Sequence, residues 1–300
     1  MCGIAGVLQK QARSYPVGQA LLTMASCLQH RGMDSAGIAV FGVPAPDQLL
    51  GVQVMLPSGM PLPDAQGVQA LGGGRLFDLT PDCAGFTACL RPGSEADHSA
   101  LVQVIEAGLP GCTVSSLGKT MTVEKSVGLA DSLRGVADGM VGTHGIAHLR
   151  LATESRIDPA HAQPFWGRPF ADIAVTHNGH ITNYHKIRLQ FEADGYAFAS
   201  GNDSEIIGVY LGRKMAGGLS LQEALQQAGQ DLDGSFSFIA ATAKGLGVVR
   251  DPFATKPLLY SENEEMVALA SEPQALHRLL GQDICIREVK PREVRVWEMA

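Results

Sequence analysis

The first residue able to do covalent chemistry is Cys2, directly behind the initiator methionine. If Met1 is removed, one residue carries both a thiol and the chain's free α-amine. A terminal amine titrates at about 7.7 to 8.0 and a free thiol at about 8.5, so near neutral pH the amine can take the thiol proton without a histidine partner. Position alone leaves the simpler reading open, a small buried hydrophobe in an edge strand. Asn178-Gly179 also reads as a turn after a strand, Arg150 as a surface charge, and Asp203 as a helix N-cap before Ser204-Glu205. The other five cysteines are scattered, without the close pairs of zinc or thioredoxin-like sites. His144, His148, His177, His180 and His185 have no helical His-Glu-x-x-His spacing and no completing Cys or carboxylate, so no metal is expected; His144 and His148 share one face of a strand.

The elements that must hold these residues follow from periodicity. Residues 2 to 8 suit a buried strand, Pro16 opens a helix through Leu21, Leu22, Ala25 and Leu28, and Ala36 to Phe41 reads as a second strand. Gly42 to Pro63 then breaks the pattern, and an insertion is expected from about 44 to 140. Within it Leu101, Val104, Ile105 and Leu109 fit one helix face, Thr120 to Val123 alternates, and Gly72-Gly73-Gly74 reads as a turn. Strand signals return at Gly145 to Leu151, Asp172 to Thr176, Ser235 to Ala241, Gly247 to Arg250 and Met266 to Ala270. Helices are expected around Tyr184, Ile187 and Phe191, over Ser204 to Met215, after the capping box Ser220 to Glu223, and after a cap at Ser271 to Gln274. Strands outnumber helices and the helices come in groups, which predicts a mainly antiparallel α+β fold.

Four distant segments belong with Cys2: Gly145-Ile146-Ala147-His148-Leu149-Arg150-Leu151-Ala152-Thr153, His177-Asn178-Gly179-His180-Ile181-Thr182-Asn183, Gly201-Asn202-Asp203-Ser204-Glu205 and Arg250-Asp251-Pro252-Phe253. With Cys2-Gly3-Ile4-Ala5-Gly6, His30-Arg31-Gly32-Met33-Asp34-Ser35-Ala36-Gly37 and Asp233-Gly234-Ser235-Phe236 they run in order over about two thirds of the chain. Together they resemble the class II glutamine amidotransferases, whose catalytic domain is an N-terminal-nucleophile hydrolase. The resemblance implies a four-layer αββα sandwich in a single domain, 1 to 300, carrying the insertion. It also implies a nucleophile at Cys2 and oxyanion donors at the Asn178 side chain and the Gly179 N–H. A planar guanidinium at Arg150 would take the substrate carboxylate and Asp203 its ammonium. Thr153 to Pro164 reads as a loop able to close over substrate, with Thr153 and His161 in the lid. Met33 and Leu151 depart from the family pattern without touching the chemistry.

With 23 Lys plus Arg against 30 Asp plus Glu and 45% hydrophobic residues, neither a disordered chain nor a generic nucleic-acid binder is expected. No apolar run reaches the roughly 18 residues of a membrane span, and no secretory leader is evident, so a cytoplasmic protein is expected. No cofactor is expected in this chain. No acceptor-site motif follows Pro257, so the ammonia is expected to be used by another chain. The segment Gly142 to Ser155 and the size of the insertion resemble the stand-alone subunits of glutamate-synthase-like systems, N-methylglutamate synthase first among them. That resemblance implies a flavin-containing synthase subunit carrying FMN, a third small subunit, and docking through residues 44 to 140 and Asp283 to Trp297. The competing readings are the amidotransferase subunit of a split glutamate synthase, an amidase for another amide, and a non-catalytic glutamine-sensing interaction subunit.

Overall fold

Side chains of the first strand alternate between two different cores, and that alternation sorts the whole molecule into layers. Ile4 and Leu8 face one apolar cluster while Ala5 and Val7 face another. The computed structural model describes residues 1–11, 13–42, 49–57, 59–82, 85–152 and 156–299. In chain order the strands are β1 (Gly3–Gln9), β2 (Ser35–Phe41), β3 (Leu50–Met55), β4 (Leu76–Pro81), β5 (Gly85–Leu90), β6 (Thr113–Gly118), β7 (Met121–Val127) and β8 (His144–Arg150). They continue as β9 (Phe165–Trp166), β10 (Ile173–Ile181), β11 (Gly234–Thr242), β12 (Gly245–Arg250), β13 (Leu259–Glu262), β14 (Met266–Ala270), β15 (Ile286–Glu288) and β16 (Val294–Glu298). The helices are α1 (Val17–Cys27), α2 (Ala65–Leu71), α3 (Glu95–Gly108), α4 (Arg134–Ala137), α5 (Tyr184–Ala193), α6 (Asp203–Ala216), α7 (Leu221–Asp231) and α8 (Pro273–Leu280).

Seven strands form one sheet in the order β15-β13-β14-β1-β8-β2-β7, and five form a second in the order β16-β12-β11-β10-β9. Among the described residues every strand pairing is antiparallel. The two sheets share the core of Ile4, Leu8, Phe41, Ile146, Ala174 and Ile239. Helices α1, α4 and α8 cover the outer face of the first sheet through Leu21, Met24, Ala137 and Leu276. Helices α5, α6 and α7 cover the second through Ile187, Phe191, Ile207 and Leu225. The result is the expected αββα stack, held by burial of apolar surface on both faces of each sheet.

The segment after β2 adds a four-stranded sheet, β4-β5-β3-β6, with α2 and α3 beside it. This extra sheet spans Leu50 to Gly118; the next strand, β7, pairs with β2 at the edge of the large sheet. The periodicity missed all four strands of this sheet because Gly and Pro interrupt their flanks. Val104, expected on the buried face of α3, is exposed, and Val102 is buried in its place. The cap of α8 also differs: Glu272 is its N-cap residue, and Pro273 takes the first helical position. Among the described residues, no helix is long and apolar enough to cross a membrane.

Candidate active site

Cys2 stands just ahead of β1, a central strand flanked by β14 and β8. Ser271, expected to cap a helix, holds β1 at this point: its Oγ accepts from the Ile4 N–H at 3.0 Å. The Cys2 carbonyl accepts from Arg31 Nε at 3.0 Å and from Asn178 Nδ2 at 3.1 Å. Because Asn178 lies on β10, this contact ties the nucleophile candidate of one sheet to the other sheet. The Cys2 thiol points at the Leu151 carbonyl, 3.9 Å away. Arg31 is braced by Glu272, with Nη1 2.6 Å from Oε1. The sequence shows Arg31 only as part of His30-Arg31-Gly32; its place beside the nucleophile comes from these contacts.

Asn178 and Gly179 are not a turn. They lie inside β10, paired with Ser237 and Phe236 of β11. Gly179 has φ +136°, and a Cβ there would fall 2.0 Å from the Ser235 carbonyl oxygen, so only glycine fits. The Asn178 side-chain nitrogen carries two N–H groups, and the Cys2 carbonyl uses one.

Arg150 closes β8. It is 3% exposed, and Nη1 donates to the Arg156 carbonyl at 2.7 Å. Asp34 supports the same corner: its N–H donates to the Arg150 carbonyl at 3.0 Å and its Oδ2 accepts from the Ala152 N–H at 2.7 Å. On the other side Asp203 opens α6. Asn202, not Asp203, is the N-cap, its side chain accepting from the Ser204 N–H. This leaves the Asp203 carboxylate for the cleft, one oxygen accepting from the Ile181 N–H at 2.8 Å.

Cys2, Arg150, Asn178, Gly179 and Asp203 all line one cavity of about 630 Å³, with Gln163, His177, Tyr184 and Lys256. Met1 lines it too and is 58% exposed, so removing it opens space beside the thiol. Thr153 lies outside the described residues. His161 is held by Asp158, Nδ1 to Oδ1 at 2.7 Å, and is not part of the cavity wall.

Burial raises the Cys2 thiol above its ordinary range; a backbone hydrogen bond with Leu151, the N-terminal charge, Arg150 and Arg31 all pull it back. Burial likewise lowers Arg150, opposed by Cys2, Asp158 and Asp34. Desolvation keeps His148 neutral, pushing it down to about 3, and holds His177 below its ordinary value. His144, stacked on Phe41, is pushed to about 4 by the same cause. His144 and His148 bond to carbonyls of the facing sheet, Thr242 and His177. Among the described residues, no group of three or more His, Cys, Asp or Glu side chains is placed to hold a metal.

A thiol beside a chain terminus, an amide donor, a guanidinium and a carboxylate in one cleft suit attack on the side-chain amide of a free amino acid. The phosphoribosylpyrophosphate (PRPP) amidotransferase from B. subtilis, complexed with ADP and GMP, superposes with a TM-score of 0.62 at 20% identity, covering 99% of this chain and 47% of that one. The fold is therefore the αββα sandwich of the N-terminal-nucleophile hydrolases. Residues 148–278 match the Glutamine amidotransferase domain family. A protein of Methanothermobacter thermautotrophicus (strain Delta H), provisionally named a glutamine amidotransferase, is 35% identical over 310 residues, with 100% of both chains covered. The glutamine amidotransferase-like protein GlxB of Rhizobium meliloti (strain 1021) is 33% identical over 312 residues, 99% of this chain and 98% of GlxB. The chain belongs to the glutamine amidotransferases, with glutamine as its substrate.

Proposed function

We propose that Cys2, freed by removal of Met1, hydrolyses glutamine through a thioester and passes the ammonia to a partner chain. The observation that carries this reading is the single cleft shared by Cys2, Asn178, Gly179, Arg150 and Asp203. Arg150 takes the α-carboxylate and Asp203 the α-ammonium, which selects a free amino acid over a residue within a protein. The terminal amine of Cys2 accepts the thiol proton as sulfur attacks the amide carbon. Asn178 Nδ2 and the Gly179 N–H receive the oxyanion. The C–N bond then breaks, the amine's proton goes to the leaving nitrogen, and ammonia departs. Water adds to the thioester, its proton returns to sulfur by way of the amine, and glutamate leaves.

The finer proposal is that this chain is the amidotransferase subunit of a cytoplasmic glutamate-synthase-like complex, N-methylglutamate synthase first, with an FMN-carrying synthase subunit and a third small subunit. The resemblance through Gly142 to Ser155 and the extra sheet support it. A split glutamate synthase and a glutamine-sensing subunit are the alternatives.

Tagging the chain in its own host, identifying what co-purifies, and assaying glutamine hydrolysis by that complex tests both levels. A yellow flavoprotein partner and glutamate release, lost in Cys2→Ala, are expected. Intact mass showing Met1 retained in fully active material would refute the terminal-amine mechanism. Purification without a flavoprotein would refute the assembly, and a partner with normal hydrolysis in Cys2→Ala would leave only the sensing role.

A further inference from the structure

We propose that Gln163 is a positioning residue whose side-chain amide replaces a missing strand and aims Asn178, Gly179 and Asp203 at the substrate. The inference rests on the glutaminase reading above. Strand β9 pairs with β10 at only two positions, Ala174 with Trp166 and Val175 with Phe165. Continued by two residues, the same register sets His177 opposite Gln163. The main-chain ladder stops short because Pro164 has no N–H to give.

The side chain of Gln163 supplies what the backbone does not. Its Oε1 accepts from the His177 N–H at 2.6 Å, and its Nε2 donates to the His177 carbonyl at 3.2 Å. A primary amide is the side chain that can present both a donor and an acceptor to one peptide edge. The second N–H of Nε2 donates to Ser204 Oγ at 3.0 Å. Ser204 Oγ in turn meets His177 Nδ1 at 2.8 Å and faces Asp203 Oδ1 at 3.3 Å. One buried amide therefore fixes the residue before the oxyanion donors and, through one hydroxyl, the carboxylate assigned to the ammonium. Its backbone is seated as closely: a Cβ on Gly37 would fall 2.1 Å from the Gln163 carbonyl oxygen.

This arrangement gives Gln163 an effect on turnover that packing alone would not. A donor turned away from the oxyanion forfeits part of the roughly 100- to 1,000-fold such a donor supplies. The test uses the full chain with its co-purifying partner, and active sites are counted with a diazoketone analogue of glutamine that alkylates Cys2. Per titrated site, Gln163→Met is expected to lose about 10- to 100-fold in kcat, with a smaller change in KM. Gln163→Glu adds a readout of its own. Ionised, it only accepts; protonated, it regains one donor beside one acceptor, the pattern of the amide. Between about pH 8.5 and 6 its deficit relative to wild type should narrow as pH falls, while that of Gln163→Met stays flat.

Wild-type kcat per site in Gln163→Met, or deficits of the two variants running parallel with pH, overturns the proposal while leaving glutamine hydrolysis standing. Wild-type protein that neither turns over glutamine nor takes the label brings down the functional reading and this inference together. Should Gln163→Met fail to fold, the pH profile of Gln163→Glu decides alone.

Discussion

Gly179→Ala probes the most constrained backbone in the cleft. The added Cβ would lie 2.0 Å from the Ser235 oxygen and 2.7 Å from the Phe236 Cα, both main-chain atoms of β11. Neither can swing aside as a side chain would, so β10 must move by about 1 Å. A non-glycine residue at φ +136° costs about 1 to 3 kcal/mol, and loosening one pair of ladder hydrogen bonds adds about 1 kcal/mol. The smaller entropy of the unfolded alanine chain offsets only about 0.4 to 1 kcal/mol. A net loss near 2 kcal/mol lowers the melting temperature by roughly 3 °C for a chain of 300 residues. The same shift misplaces the Gly179 N–H, and an error of about 1 Å in a reacting geometry costs on the order of 100-fold in rate. Differential scanning calorimetry and glutaminase kinetics on one preparation read both effects. A variant with wild-type melting and kcat would refute the geometry of β10 and the assignment of Gly179 as a donor.

Asp203→Asn keeps an acceptor for the Ile181 N–H but loses the charge, so KM for glutamine should rise about 10- to 100-fold with kcat little changed; equal KM values would remove Asp203 from the ammonium site. Gly37→Ala, at a residue outside the cleft wall, should lower kcat by displacing Gln163, and unchanged kinetics would show that the Gln163 backbone can yield. Native His144 and His148 stay neutral down to about 4 and 3, whereas unfolded histidine titrates at about 6.5. Between those values the unfolded chain binds more protons, so stability should fall as pH drops below about 6.5 and level off above it. Urea unfolding across this range checks the slope, which His144→Gln should reduce by about one proton; an unaltered slope would contradict a neutral buried His144.

Where local pattern and tertiary demand agree, the sequence was a sufficient guide. Ala36 to Phe41 reads as a strand because almost every residue is apolar or small, and it is buried throughout. Ser220 and Glu223 form the capping box that their spacing predicts. The failures lie where one residue outcompetes a neighbour for the same task. Asn202 takes the cap that Asp203 could have made, and Ser271 spends its hydroxyl on β1. Asn178-Gly179 has the composition of a turn, but nine consecutive pairings with β11 keep it extended. In the cleft Cys2, Arg150 and Asp203 announce themselves by type, a thiol, a guanidinium and a carboxylate. Gln163 does not, and neither does Arg31 behind Cys2, because their value comes from which carbonyls and amides lie opposite them in space.

The place of β1 between β8 and β14 also orders events in time. A ribosome delivers Cys2 some 260 residues before Met266–Ala270, so the strand that follows the thiol waits for that much more chain before it has both neighbours. β14 then completes the pairing of β1, and Ser271 just beyond it holds the Ile4 N–H, two residues from the thiol.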